Sequence, residues 1–109
     1  MIKKLNTLLN NEKIGTLTYD TSLEKFYFDY EKDTKIQLLS GDTNRRFGDH
    51  FESNELFLAF KTHKSYSTDR LVKKLEIDLE TNQGQWRVLE HLAEHGINSE
   101  GLVYEFHTL

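Results

Sequence analysis

The segment Lys25-Phe26-Tyr27-Phe28-Asp29-Tyr30 constrains what this chain can fold into more than any other. Successive side chains of a strand point to opposite faces, so Phe26, Phe28 and Tyr30 share one side while Tyr27 and Asp29 share the other. Three aromatics on one strand face could form a ligand platform, but core packing under a helix is the simpler explanation. Strand signals precede this segment. Leu5, Thr7 and Leu9 alternate before Asn10-Asn11-Glu12, and Ile14 to Tyr19 resumes a β-rich run, which is a hairpin signature. Gly15 within the second run predicts a bulge or a close backbone approach, and Asp20-Thr21-Ser22 supplies the turn chemistry that ends it. Lys35-Ile36-Gln37-Leu38-Leu39 predicts a fourth strand or an edge segment. The stretch from Ser40 to Asp49, rich in Gly, Asp, Asn and Arg, reads as an exposed loop.

Beyond that loop the apolar period changes. Leu56, Phe57, Ala59 and Phe60 follow helical spacing, with Ser53 or Asn54 placed to cap, and predict a helix of about three turns. Ser67 or Thr68 opens a second, shorter helix that buries Leu71, Val72 and Leu75, with Asp69 near its positive end. The alternation of Leu75, Ile77 and Leu79 reads as a connection. A third helix is the best defined: Thr81 or Asn82 caps it, Trp86, Leu89, Leu92 and Ala93 form one stripe, and Gly96 suits the left-handed position that closes it. Gly101 to Phe106 alternates as a last strand returning to the sheet. The reading is therefore an α+β domain, with a small antiparallel sheet of N-terminal strands plus a C-terminal strand, packed with about three helices from the second half.

Composition narrows the function. A chain of 109 residues fits one domain, expected over 1–109. Without cysteine it has neither a disulfide framework nor a thiolate ligand or nucleophile, which points to a reducing cytoplasm. The start carries lysines but no signal-peptide core, and no stretch approaches a membrane span. A net charge of −4 argues against a dedicated nucleic-acid binder and favours a protein partner. Arg45-Arg46 and Lys61 to Lys64 are the basic stretches, and ordinary solvated charge accounts for them.

Chemistry is hard to assemble from these residues. Five histidines and eighteen acidic residues invite a metal, yet His-Glu-x-x-His, two-His-one-carboxylate and calcium-loop spacings are missing. His91 and His95 share a helix face with Glu94 beside them, but spacing alone places no third ligand, and the dipole at a helix C-terminus already favours histidines there. No G-x-S-x-G elbow, P-loop or G-x-G-x-x-G occurs, and Ser65, Ser67 and Thr68 near His63 read as cap and turn residues. Glu76 and Asp78 read as exposed charges. No catalytic residues, cofactor or metal site are expected.

The order of elements resembles the small N-terminal subdomain of HipA-type serine/threonine kinase toxins, and more closely the family in which that piece is a free protein, HipS. Three stretches carry the resemblance. Leu9 to Leu17 is similar to the opening hairpin, with an Ile-Gly-x-Leu step and the later aromatic strand Phe26-Tyr27-Phe28. Leu56 to Phe60 followed by Asp69-Arg70-Leu71 is similar to the family's helix, connection and helix. Trp86 to Leu89, through Gly96, to Gly101-Leu102-Val103 is similar to its ending. Lys61-Thr62-His63-Lys64-Ser65-Tyr66 departs from the family's Leu-Leu-Pro-Glu-like segment, and Gly101-Leu102 stands for its closing Gly-Ala.

The resemblance implies a non-enzymatic antitoxin of a three-part type II toxin-antitoxin system. It would bind and neutralise a HipT-like kinase, and meet DNA only through a HipB-like protein. A detached subdomain should keep an exposed, aromatic-rich surface where it once packed on the kinase. Tyr66 is the leading anchor, flanked by His63 and Lys64, because a core poorly explains an aromatic in a polar connection. The alternative is a non-catalytic adaptor or structural subunit of another complex.

Overall fold

A computed structural model describes residues 1–31, 50–57, 60–61, 66–97 and 101–107, with the backbone only for 66–69. Its elements in chain order are β1 (Ile2–Leu9), β2 (Glu12–Asp20), β3 (Lys25–Tyr30), β4 (His50–Ser53), α1 (Tyr66–Leu75), α2 (Asn82–His95) and β5 (Leu102–Phe106). The strands form one sheet in the order β4-β3-β2-β1-β5, with every neighbouring pair antiparallel. The α+β class is as expected, and the C-terminal strand does return to the N-terminal ones.

Turn chemistry explains the hairpins. Asn10 and Asn11 adopt φ values of 52° and 67°, so a two-residue turn with both central residues left-handed joins β1 to β2. Such turns match the right-handed twist of their strands, and asparagine tolerates the conformation better than most residues. At the β2–β3 turn the Asp20 carboxylate accepts from the backbone N–H groups of Ser22 and Leu23 at 3.0 and 3.2 Å.

Both readings of Gly15 hold. Thr7 faces Gly15 while Leu8 faces Lys13, so Ile14 is an extra residue in β2 and the ladder bulges there. A Cβ on Gly15 would also lie 2.4 Å from Cζ of Phe28 and 2.6 Å from the Asp29 carbonyl oxygen. The ring of Phe28, fully buried, occupies the space a side chain would need. Gly15→Ala is therefore expected to cost about 2–3 kcal/mol through overpacking. The check is a lower urea midpoint at unchanged slope; a variant of wild-type stability would show that the Phe28 ring moves aside freely.

One face of the sheet carries the core. Leu5 lies opposite Leu17, Leu17 opposite Phe28 and Phe28 opposite Phe51, with Tyr19 opposite Phe26 in the next row. Phe26, Phe28 and Tyr30 are all buried, in accord with core packing. The α2 helix lays Trp86 and Leu89 onto this face. Tyr19 stacks on Phe26 at 4.5 Å between ring centroids, and Trp86 lies 5.6 and 6.3 Å from the two. Thr81 caps α2 by accepting from the Gly84 N–H, and Gly96 closes it at φ 61°.

Two expectations change. Among the described residues there are two helices, α1 and α2, rather than about three. Where the first was expected, the N–H groups of Phe60 and Lys61 both donate to the Phe57 carbonyl at 2.9 and 3.1 Å, which makes a single turn. That turn suffices to bury Leu56 and Phe60, the latter 5.1 Å from Phe28 and 6.2 Å from Tyr104 between ring centroids. Ser53, placed to cap a helix, ends β4 and accepts from the Glu55 N–H instead. The β4 strand itself, His50–Ser53, was not anticipated. The predicted strand at 35–39 and the loop at 40–49 lie outside the described residues. No helix among them is long and apolar enough to cross a membrane.

Candidate functional site

The connection from α1 to α2 is built into the cap of α2. The Asp78 carbonyl accepts from the Thr81 N–H at 3.2 Å and the Thr81 hydroxyl at 2.8 Å, while that hydroxyl oxygen accepts from the Gly84 N–H at 3.0 Å. Gln85, buried, donates its side-chain amide to the Leu79 carbonyl at 2.7 Å. Asn82 donates to the Asn54 carbonyl at 2.9 Å and so ties the start of α2 to the end of β4. These bonds fix the connection against the first turn of α2.

Between that connection, the first turns of α2 and the ends of β1 and β2 runs a groove of about 710 Å³. Tyr19 and Trp86 form part of its lining, and Lys3, Arg87, Glu76, Asp78 and Glu90 give its wall charges of both signs. The Tyr19 hydroxyl and the Trp86 Nε1–H are buried without a hydrogen-bond partner among the described residues. Burial, and secondarily the charge of Glu24, raises the Tyr19 pKa, so the phenol stays protonated and able to donate. Two of the residues lining the groove therefore each carry a buried polar atom with no partner among the described residues, a cost that natural cores rarely carry.

Next to this groove lies exposed apolar surface. Met1, Ile2 and Leu23 are exposed, and the Met1 carbonyl accepts from both the N–H and the hydroxyl of Thr21, which gathers all three at one end of the sheet. Ile97, just past the C-terminal end of α2, and Phe106, opposite Leu5 at the end of β5, are exposed as well. The expected aromatic-rich surface is not found among the described residues: most aromatics serve the core, and the exposed hydrophobics are largely aliphatic.

Of the residues singled out in the sequence, Tyr66 is the first residue of α1, while His63 and Lys64 lie outside the described residues. Leu75, which ends the helix that Tyr66 begins, and residues 76–78 just after it supply one wall of the groove. Two histidine groupings emerge that spacing alone did not complete. His50 pairs with the Asp29 carboxylate on the face opposite the core and stacks on Tyr27 at 5.6 Å. No serine or threonine hydroxyl among the described residues is seen to bond to His50. On α2, His91, Glu94 and His95 bring their ligand atoms within 4.8 Å of one another.

No protein-family model matches the chain, and no curated protein matches it by sequence. A solved structure described as the N-terminal domain of HipA toxin superposes on it with a TM-score of 0.70. The match covers 99% of this chain and 95% of that one at 22% sequence identity. At this identity it is the fold that is shared, and the chain has the fold of the HipA toxin N-terminal domain along nearly its whole described length.

Proposed function

We propose that this chain is a HipS-like antitoxin that binds and neutralises a HipT-like serine/threonine kinase toxin by protein contact. The observation that supports this most is the fold, shared over 99% of the chain with the N-terminal domain of a HipA toxin. A unit that carries the surface of such a domain can occupy the corresponding place on a kinase body that lacks it. The protein acts in the cytoplasm without catalysis, in a three-part system whose HipB-like member contacts DNA. Its own acidic balance suits a protein partner better than a phosphate backbone.

The contact surface is assigned to the segment around Tyr66, with His63 and Lys64, and to the exposed apolar end formed by Met1, Ile2 and Leu23. Interfaces concentrate their energy in a few anchors, and aromatic anchors dominate among them. Co-expression with the HipT-like kinase encoded alongside is the direct test, read by co-purification and by rescue of growth. Wild type is expected to do both, and Tyr66→Ala to weaken the complex about 30-fold, as loss of a hot spot does. A wild-type protein that neither co-purifies nor rescues would overturn the antitoxin reading. It would leave an adaptor with the same fold.

A further inference from the structure

The three side chains His91, Glu94 and His95 sit on the last two turns of one continuous helix. Gly96 locks that end by donating its N–H to the carbonyls of Ala93 and Leu92, so the backbone holding the three is rigid. The imidazoles of His91 and His95 lie one turn apart, 4.4 Å between ring centroids. With the Glu94 carboxylate, their potential ligand atoms all fall within 4.8 Å of one another. Around a tetrahedral ion with bonds of about 2.0–2.1 Å, neighbouring ligands are roughly 3.3 Å apart, so closure requires only about 1.5 Å of side-chain movement. Glu94 and His95 are exposed and His91 is half-buried, so rotamers are free to supply that movement.

A structural explanation for histidines at a helix C-terminus is the dipole, which favours the charged imidazolium. The dipole does not account for the convergence of the Glu94 carboxylate with the two imidazoles. Glu94 pairs with Arg87, whose Nη1 lies 3.4 Å from its Oε1, which leaves the second carboxylate oxygen for coordination.

We propose that His91, Glu94 and His95 form a binding site for one borderline divalent transition-metal ion of the Zn2+ class. Two imidazoles and one carboxylate suit Zn2+, Ni2+ or Cu2+, whereas Mg2+ and Ca2+ require shells of oxygen. Zn2+ takes four ligands, and with three from the helix the fourth position faces solvent, open to water or to a side chain of a bound protein. The site is independent of the antitoxin reading.

The test is Zn2+ titration of tag-free protein in a non-chelating buffer near pH 7.5, by calorimetry and thermal melting. One equivalent is expected to bind, and saturating Zn2+ should raise Tm by at least about 5 °C, as for any ligand selective for the folded state. His95→Ala and His91→Ala should each weaken binding at least tenfold, and Glu94→Gln less so. These variants should keep their metal-free Tm, since alanine and glutamine are good helix formers at these positions. His50→Ala, His63→Ala and His107→Ala should bind as wild type. Failure to bind one equivalent, or binding that survives loss of both His91 and His95, would overturn the proposal.

Discussion

Replacing Gly84 with alanine is expected to cost this fold about 3 kcal/mol or more, the reverse of what helix propensity predicts. In an exposed helix alanine is better than glycine by about 1 kcal/mol. Here the new Cβ would lie 1.8 Å from the Asp78 carbonyl oxygen, 2.6 Å from its carbon and 2.9 Å from the Thr81 hydroxyl. The neighbours that would have to yield are backbone, and they are restrained. The Asp78 carbonyl is held by the N–H and hydroxyl of Thr81, and that hydroxyl is the cap of α2. Making room therefore gives up a cap worth about 1 kcal/mol and shifts the connection that walls the groove, on top of the overpacking itself. Urea denaturation checks the figure. An alanine variant as stable as wild type would show that the connection between α1 and α2 is loosely held, contrary to its bonding.

Trp86 carries the second large effect, and two substitutions separate its parts. Trp86→Ala removes the ring that covers Tyr19 and Phe26 and should cost about 3–5 kcal/mol. Trp86→Phe keeps most of that cover and removes an N–H that is buried without a partner among the described residues. An unsatisfied buried donor costs about 1–3 kcal/mol, so its removal offsets much of the lost ring volume. The Phe variant is expected to fall within about 1 kcal/mol of wild type. Because Trp86 is the sole tryptophan, far-UV circular dichroism rather than fluorescence must follow unfolding. A Phe variant nearly as unstable as the Ala variant would mean that the indole N–H has a bound acceptor, such as an ordered water.

Where the sequence was legible, local chemistry and tertiary packing agreed. The Asn10-Asn11 turn, the bulge at Gly15, the Thr81 cap and the Gly96 terminus each depend on a residue type with a particular conformational or hydrogen-bonding capacity, and each appears where expected. The alternation in β3 announced its buried face because one side of the sheet alone meets α2. Leu56 to Phe60 misled because a helical apolar spacing is also satisfied by one turn that places two residues into a core. β4 was invisible because His50-Phe51-Glu52-Ser53 carries a single large hydrophobic residue, too little to mark a strand without its neighbour β3. The groove was equally hidden. Its walls come from residues 1–21 and 75–90, and nothing in either segment alone shows that Tyr19 and Trp86 would meet with buried polar atoms that find no partner among the described residues. His91, Glu94 and His95 were each visible, but their convergence needed the helix to be continuous to His95.

The place of β5 bears on how the chain is made. Because β1 lies between β2 and β5, one side of β1 finds its partner about a dozen residues away and the other only near residue 102. During synthesis the first hairpin can close at once, while the outer N–H and C=O groups of β1 wait for nearly the entire chain. Throughout that interval β1 is an open edge, able to pair with a strand of another nascent copy. Adding β5 therefore covers that side of β1, and a chain cut before Leu102 would leave it an open edge.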